Sequence, residues 1–119
     1  MVVIGPLRLK VQLFSGDWHA MGPGKADLLE AIGREGSVAA AGRALGMTYR
    51  KCWMLVDRMN SAFAGPLVLT HKNGGPARGA VVTDLGREVV AAFRGLEGEL
   101  RAAADASPHR QRLLGRLLP

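Results

Sequence analysis

The sequence predicts a mainly α domain with a small β-sheet, and three observations support this prediction. Residues 26–63 contain three amphipathic segments with helical spacing and short connections. Residues 67–83 contain two β-prone runs on either side of a glycine-rich loop. Residues 84–106 keep helical spacing over a length well above that of an average helix. With 119 residues, 48% of them hydrophobic, the chain is long enough for one domain with its own core.

Two helices joined by a tight turn are expected within residues 37–63. Ser37 and Thr48 are suitable N-caps for the first and second helix, because their side-chain oxygens accept hydrogen bonds from free N–H groups of the first turn. Gly46 is expected to end the first helix in the left-handed conformation. Four apolar residues at helical spacing predict the buried face of the second helix: Cys52, Val56, Met59 and Phe63.

The exposed start of the second helix, predicted over residues 48–63, indicates an anionic partner. Tyr49, Arg50, Lys51 and Trp53 crowd its first turn and a half outside the buried face. A helix N-terminus is already positive, so two cations there favour an external anion. A helix-turn-helix that places the start of its second helix in the DNA major groove uses these residue types. The alternative is an ordinary helical hairpin with a solvated basic end.

A β-hairpin is predicted after the helix pair, with strands at residues 67–72 and 80–83. Lys72, Asn73 and Arg78 lie in or beside its loop. Directly after a helix-turn-helix, such a hairpin is a wing that can place cations against phosphate or in a minor groove. The alternative is a plain surface turn. The loop is not a P-loop, because it precedes a strand and lacks the Gly-Lys-Ser/Thr that opens a helix.

The N-terminal quarter of the chain is predicted to add one strand and one helix. Strict alternation over residues 7–13 predicts a half-buried strand. Residues 18–24, with two glycines and a proline, predict a loop. Residues 26–35 predict a helix whose inward side chains are Leu28, Leu29 and Ile32.

The final helix carries a heptad-like apolar seam, which predicts a dimer contact. Packing on its own domain is the alternative. Glu97 and Arg101 are expected to form an i, i+4 pair on the outside of the helix. Residues 107–119 are a basic, leucine-rich tail, either frayed or a short amphipathic segment. The seam consists of Val89, Phe93, Leu96, Leu100 and Ala103.

The composition limits the classes of function. A net charge of +6 favours a polyanion such as nucleic acid or an anionic membrane surface. One cysteine excludes an internal disulfide, and no apolar run reaches the about 18 residues of a membrane span, so we expect a cytoplasmic protein. His19, His71 and His109 lie far apart, and no acid pair or nucleophile motif stands out. We therefore expect no enzymatic activity, no cofactor and no metal site.

In this order, the segments resemble the N-terminal DNA-binding domain of the ModE-type molybdate-responsive transcriptional regulators over residues 7–106. The most specific features are Tyr49 and Trp53 four residues apart, Met59-Asn60 near the end of the same helix, and the Gly-Gly of the wing. A looser likeness to the DNA-binding domain of LysR-type regulators covers residues 37–85. The stretches that carry the closer resemblance are 7–14, 28–29, 36–37, 46–53, 59–60, 73–75 and 79–86.

The resemblance implies a winged helix-turn-helix repressor or activator that binds a palindromic operator in double-stranded DNA as a homodimer. Residues 1–106 would form the DNA-binding domain, with 84–106 as its dimerisation helix and 107–119 as a tail. The side chains implied to face DNA are Ser37, Thr48, Tyr49, Arg50, Lys51, Trp53, Lys72, Asn73 and Arg78.

One departure from the family bears on what is sensed. Full-length members continue into a molybdate-binding domain, which is absent from this sequence ending at Pro119. A stand-alone short form is therefore expected. The resemblance implies molybdenum-related regulation, but the chain need not sense an oxyanion directly, and the regulated genes need not concern molybdenum. The alternative function is a winged-helix interaction module that pairs with another regulator, and the leucine-rich tail motivates it.

Overall fold

A computed structural model describes all 119 residues, and most of them are helical. Six short strands form three separate antiparallel hairpins, β1 with β2, β3 with β4 and β5 with β6. The mainly α fold with a small amount of antiparallel β-structure is thereby confirmed. The elements are β1 (Val2–Ile4), β2 (Leu7–Leu9), β3 (Leu13–Ser15), β4 (Trp18–Met21), α1 (Pro23–Glu35), α2 (Val38–Leu45), α3 (Tyr49–Ala62), β5 (Val68–Leu69), β6 (Val81–Val82), α4 (Asp84–Ala106) and α5 (Pro108–Leu114).

Helices α1, α2 and α3 form the centre of the domain, and the sequence signals for their ends are confirmed. The Ser37 hydroxyl accepts a hydrogen bond from the Ala40 N–H at 3.1 Å, and the Thr48 hydroxyl accepts one from the Lys51 N–H at 3.1 Å. Gly46 ends α2 with a φ of 68°. Helices α2 and α3 approach closely at Gly42, where a Cβ would lie 2.6 Å from the Cys52 Sγ.

The core lies between these helices, the β5–β6 hairpin and the first half of α4. The predicted inward residues of α1 and the predicted buried face of α3 are confirmed, except that Phe63 is only partly buried. Fully buried side chains of this kind each contribute roughly 1.5–3 kcal/mol to the free energy of unfolding. The largest of them are Met21, Leu28, Leu29, Ile32, Met59, Leu67, Val56, Val68 and Cys52.

The β5–β6 hairpin is attached to the helical part of the domain by hydrogen bonds from one side chain and from the backbone. The Oδ1 of Asn60 accepts from the Leu67 and Val68 N–H groups at 2.8 and 3.0 Å. At the other strand, the Ala80 N–H donates to the Gly36 carbonyl at 2.8 Å. Both strands have two residues and are shorter than predicted. Strand β5 ends at Leu69, and a 3₁₀ turn follows at His71–Asn73. The hairpin therefore keeps a fixed position beside the α2–α3 pair.

The N-terminal region differs from the prediction. The single strand expected over residues 7–13 is two strands, β2 and β3, with residues 10–12 outside both, because each half pairs with a different neighbour. Residues 18–21 form β4 where a loop was expected. Helix α1 begins at Pro23, three residues earlier than predicted, since proline is well suited to a first helical position.

Helix α4 follows its predicted limits, with the Thr83 hydroxyl accepting from the Gly86 N–H at 2.9 Å. The expected outer pair of Glu97 and Arg101 is wrong. Glu97 is buried and contacts Arg94 and the amino terminus of Met1, while Arg101 donates to the Val3 carbonyl. The helix turns this side toward the N-terminal hairpin rather than toward solvent.

Only part of the predicted seam of α4 is accessible. Phe93 belongs to the core of its own chain, and Val89 packs against that core. Leu96 is 45% exposed, and Leu100 and Ala103 are also exposed. Part of the tail forms the short helix α5, which no buried residue anchors. None of the five helices is long and apolar enough to cross a membrane.

Candidate nucleic-acid interface

The first turn of α3 presents an aromatic ring and two cations to solvent. Tyr49 is 62% exposed, and Arg50 and Lys51 are exposed beside it. No acidic residue lies in this turn, and the six ion pairs of the chain include neither cation. The N–H groups and the side chains here are therefore both positive, which suits an external anion.

Trp53, one turn further along α3, packs against the protein more than the sequence implied. Its ring is half-buried against the core and meets the Tyr49 ring edge-to-face, with centroids 6.0 Å apart. The Lys72 Nζ lies 4.2 Å from the centroid of the Trp53 ring. Its indole N–H is buried and has no acceptor within the chain. Trp53 thus joins α3 to the hairpin, and a cation–π contact holds the two together.

The hairpin loop contributes cations through Lys72 and Arg78, both exposed. Asn73 has a different position from the one its inclusion in the DNA-facing set implied. Its Oδ1 accepts from the Thr70 N–H at 2.7 Å and its Nδ2 donates to the Val68 carbonyl at 3.0 Å. Its amide is therefore committed to the loop itself. Gly79 closes the loop with a φ of 81°, where a Cβ would meet the Gly36 carbonyl oxygen at 2.5 Å.

A cleft of about 260 Å³ lies where α2, α3 and the hairpin loop meet. Four of the sequence-predicted residues line it together: Ser37, Tyr49, Trp53 and Arg78. No carboxylate lines this cleft. Ser37 and Thr48 use their oxygens as helix caps, so each hydroxyl hydrogen remains free to donate to an external acceptor. The cleft itself therefore offers the Ser37 hydroxyl, aromatic rings and the Arg78 guanidinium group to an anionic ligand.

The sequence pattern did not predict two features of this surface. His71 also lines the cleft, and only its position beside Lys72 in the hairpin pointed to it. Lys51 lies on the opposite side of the first turn of α3, in a pocket with Lys25 and Arg58. The spacing of seven residues between Lys51 and Arg58 places them on one helix face and was available as a signal. Lys25 gave no such signal.

Other chemistry has little basis in the described side chains. No three His, Cys, Asp or Glu residues lie close enough together to hold a metal ion. Burial raises the pKa of the Cys52 thiol, although the nearby Lys51 opposes this effect, so the thiol stays protonated and unreactive at neutral pH. Cys52 is therefore a core residue behind the first turn of α3.

Comparison with known proteins gives relatives named for molybdenum. The chain is 41% identical over 78 residues to "Molybdenum transport protein ModE" of Azotobacter vinelandii, a match covering 66% of this chain and 29% of that protein. It is 39% identical over 98 residues to "Molybdenum-pterin-binding protein MopA" of Rhodobacter capsulatus, and this match covers 82% of this chain and 37% of MopA. The Rhodobacter capsulatus protein MopB, likewise named as molybdenum-pterin-binding, is 40% identical over 77 residues. This match covers 65% of this chain and 28% of MopB.

The chain matches only part of the length of each of these relatives. Each alignment spans between 28% and 37% of the relative's own length. No protein-family model matches the chain.

Proposed function

We propose that this chain belongs to the ModE type and is a winged helix-turn-helix regulator of transcription that binds double-stranded DNA sequence-specifically. The observation that carries the proposal is the carboxylate-free cleft shared by α2, α3 and the β5–β6 hairpin, beside an exposed first turn of α3 with two unpaired cations. The similarity to a protein named ModE supports the same assignment. Residues 1–106 would act as the DNA-binding domain, and 107–119 as a tail.

In this proposal, α3 enters the major groove with its N-terminal turn first. Tyr49 and Arg50 would reach base edges, and Arg50 can bond a guanine through two parallel hydrogen bonds. Lys72 and Arg78 would contact phosphate from the hairpin, together with the capping hydroxyls. Trp53 would act mainly by holding α3 and the hairpin in a fixed relation, because its ring is half-buried between them.

A homodimer would bring two DNA-contacting surfaces, each formed by α3 and the β5–β6 hairpin, to one operator. The exposed part of the α4 seam borders an apolar groove of about 320 Å³, which offers a surface for a second copy. Two such surfaces about 34–36 Å apart would meet successive major grooves and read a palindrome. The groove is lined by Val11, Gln12, Leu13, Met21, Phe63, Val89, Ala92, Phe93 and Leu96.

The names of the relatives extend the proposal to the regulated genes. Proteins named for molybdenum transport and molybdenum-pterin binding match most of this chain. We therefore propose that the target genes concern molybdenum handling and that the protein acts in the cytoplasm without enzymatic activity. The chain itself would supply the DNA-reading part of such regulation.

The direct test is selection of genomic DNA fragments by the purified protein at moderate salt, read by sequencing. The proposal predicts a palindrome with half-sites about one helical turn apart, and neighbouring genes of molybdenum handling. A protein that enriches no motif and shifts no fragment at low salt is not a sequence-specific regulator.

Substitution of Arg50 tests the reading residue. Arg50→Ala is expected to weaken operator binding by about 1–3 kcal/mol and to relax the preference at one base pair. Fluorescence anisotropy with the selected operator and single-base variants measures both effects. Arg112→Ala removes the same charge from α5, outside the cleft, and serves as the control. Equal affinities for the two variants would remove Arg50 from the reading set.

An interaction module is the second candidate, and the exposed leucines of the C-terminal region favour it. Leu118 is 93% exposed, and Leu113 and Leu117 are exposed on the same segment. Such a module would bind its partner with little salt dependence. A DNA reader with six to ten phosphate contacts instead loses about 10³–10⁵ in affinity between 50 and 200 mM salt.

A further inference from the structure

A second basic pocket lies on the other side of α3, where β4 leads into α1. Its volume is about 230 Å³, and it lies outside the cleft described above. Eleven residues from five parts of the chain line it, and none of them is acidic. Four of the lining residues are cationic and two are polar and neutral side chains that bear nitrogen: Lys10, Lys25, Lys51 and Arg58, with Gln12 and His19.

Lys25 is the central feature of this pocket, because it is a buried cation without a carboxylate. Lys25 as a whole residue is only 3% exposed to solvent. The Nζ donates to the His19 Nδ1 at 2.7 Å and to the His19 carbonyl oxygen at 2.6 Å. An ammonium group has three N–H donors, so one remains without an acceptor in the chain. Burial of a charge without an opposite charge is unfavourable unless something else compensates it.

The start of α1 adds positive potential to the same place. Gly22 precedes the helix and provides no side-chain cap, and Pro23 occupies the first helical position. The first N–H groups of a helix have no acceptor within the helix, and they attract anions. A side chain at position 22 would collide with the His19 ring, because a Cβ there would lie 3.0 Å from the His19 Cε1. A backbone dipole and side-chain cations thus converge on one small pocket.

We propose that this pocket binds a tetrahedral oxyanion through Lys10, Lys25, Lys51 and Arg58 at the N-terminus of α1. The ligand chemistry is a phosphate-like group, supplied either by the DNA backbone or by a free dianion. Lys51 belongs both to this pocket and to the first turn of α3, so a bound anion would lie directly beside the DNA-facing surface. The DNA source rests on the proposed function, and the free source does not.

The pKa values of two groups agree with a positively charged site. Burial lowers the pKa of Lys25, and the positive charge of Arg58 lowers it further. Burial also lowers the pKa of His19, with Lys25 and Lys10 adding to the effect. An anion placed among these groups would offset both effects, because an opposite charge favours the charged form.

The test measures both sources with the full chain. Isothermal titration with sulfate and with phosphate, at constant ionic strength in chloride, detects a free oxyanion. Operator binding as a function of salt concentration detects a DNA phosphate. Two pocket variants, Lys10→Gln and Lys25→Met, are compared with Arg8→Gln, which removes an exposed cation outside the pocket. Circular dichroism checks that each variant remains folded, and Lys10, being exposed, keeps the test valid without Lys25.

A free oxyanion source predicts saturable one-to-one binding that Lys10→Gln weakens by about tenfold or more, the loss of one charge-assisted hydrogen bond. It also predicts loss of binding in Lys25→Met and no change in Arg8→Gln. A DNA source predicts no such binding, but a salt slope reduced by about 0.9 in Lys10→Gln and unchanged in Arg8→Gln.

The remaining outcomes contradict the site. Absence of both effects, or equal effects of Lys10→Gln and Arg8→Gln, overturns the proposal. Sulfate binding by a chain that shifts no DNA would overturn the proposed function and leave the pocket standing. Sequence-specific DNA binding that is unchanged in both pocket variants, together with no binding of free sulfate or phosphate, would overturn the pocket and leave the proposed function standing.

Discussion

Helix α1 borders two cations in opposite environments. Near its middle, Asp27 and Glu30 accept hydrogen bonds from Arg94 at 2.6 and 2.7 Å, and Glu97 completes the set at 2.8 Å. At its start, Lys25 is more deeply buried than Arg94 and has only a histidine nitrogen and a carbonyl oxygen as acceptors. One cation is surrounded by carboxylates, and the other faces further cations.

The difference separates a structural contact from a binding site. Hydrogen bonds to Glu30 raise the pKa of Arg94 above its ordinary value although burial opposes this, whereas burial lowers the pKa of Lys25. Arg94 connects α4 to α1 and is satisfied within the chain. Lys25 has no opposite charge within the chain, which is the arrangement expected when the anion comes from outside. The predictions below test this contrast in order of expected effect.

Arg94→Met is expected to lower the free energy of unfolding by about 3 kcal/mol, because it leaves three carboxylates close together with Glu97 buried. Urea unfolding followed by circular dichroism measures this change. Arg112→Met, which removes a helical arginine without an ion pair, is the control. An equal loss of stability in both variants would show that the carboxylate cluster contributes nothing specific.

Acidification is expected to weaken the same contact through Glu97. Burial raises the pKa of Glu97, but hydrogen bonds from Arg94 and the amino terminus outweigh it and leave the pKa lowered. The folded state therefore binds this proton less readily than the unfolded state. The stabilisation is fully present above the ordinary pKa of 4.5 and is lost as the pH falls through the lowered folded value.

Urea unfolding across this pH range gives the measurement, with Glu97→Gln as the comparison. The variant should show a shallower loss of stability below pH 4.5 than the native chain. His19 also has a lowered pKa and destabilises the fold on acidification, but both proteins share this contribution. Parallel curves for the two proteins would assign the acid sensitivity to groups other than Glu97.

The contrast also shows how far the sequence alone could lead. Periodicity and capping residues located α2, α3 and α4 to within a residue, because those signals are local in the chain. The Arg94 cluster joins residues more than sixty positions apart, and no local pattern pairs them. Glu97 was misplaced for this reason, since spacing alone favoured Arg101 and could not include the amino terminus.

The candidate interface was predicted in part for the same reason. Exposed side chains at the start of α3 follow from local spacing, whereas the contact of Lys72 with Trp53 depends on how the hairpin folds back. The role of Asn73 within its own loop depends on a capping box that only the 3₁₀ turn creates. The basic pocket gathers residues from β4, α1 and α3 with the residues before β3, and that assembly was invisible in sequence.

Lys72→Ala tests a third environment, a cation held by an aromatic ring. Loss of the contact with Trp53 is expected to lower stability by about 0.5–1 kcal/mol, since the site is exposed. In a Trp18→Phe background, the fluorescence of Trp53 reports the change directly. Arg8→Ala, which removes an exposed cation that makes no cation–π contact, is the control, and an identical Trp53 spectrum in both variants would contradict the contact.

Lys25→Met is expected to give the smallest effect, a change in stability below about 1 kcal/mol. Two hydrogen bonds are lost, but the cost of a buried, uncompensated charge is also removed, and the two contributions oppose each other. The lowered folded pKa fixes the sign at high pH. The unfolded chain binds this proton more readily, so native stability should rise as the pH increases through the folded pKa toward 10.5, and the variant should lack that rise. A loss as large as that of Arg94→Met would make Lys25 a structural cation, and the contrast between the two cations beside α1 would then disappear.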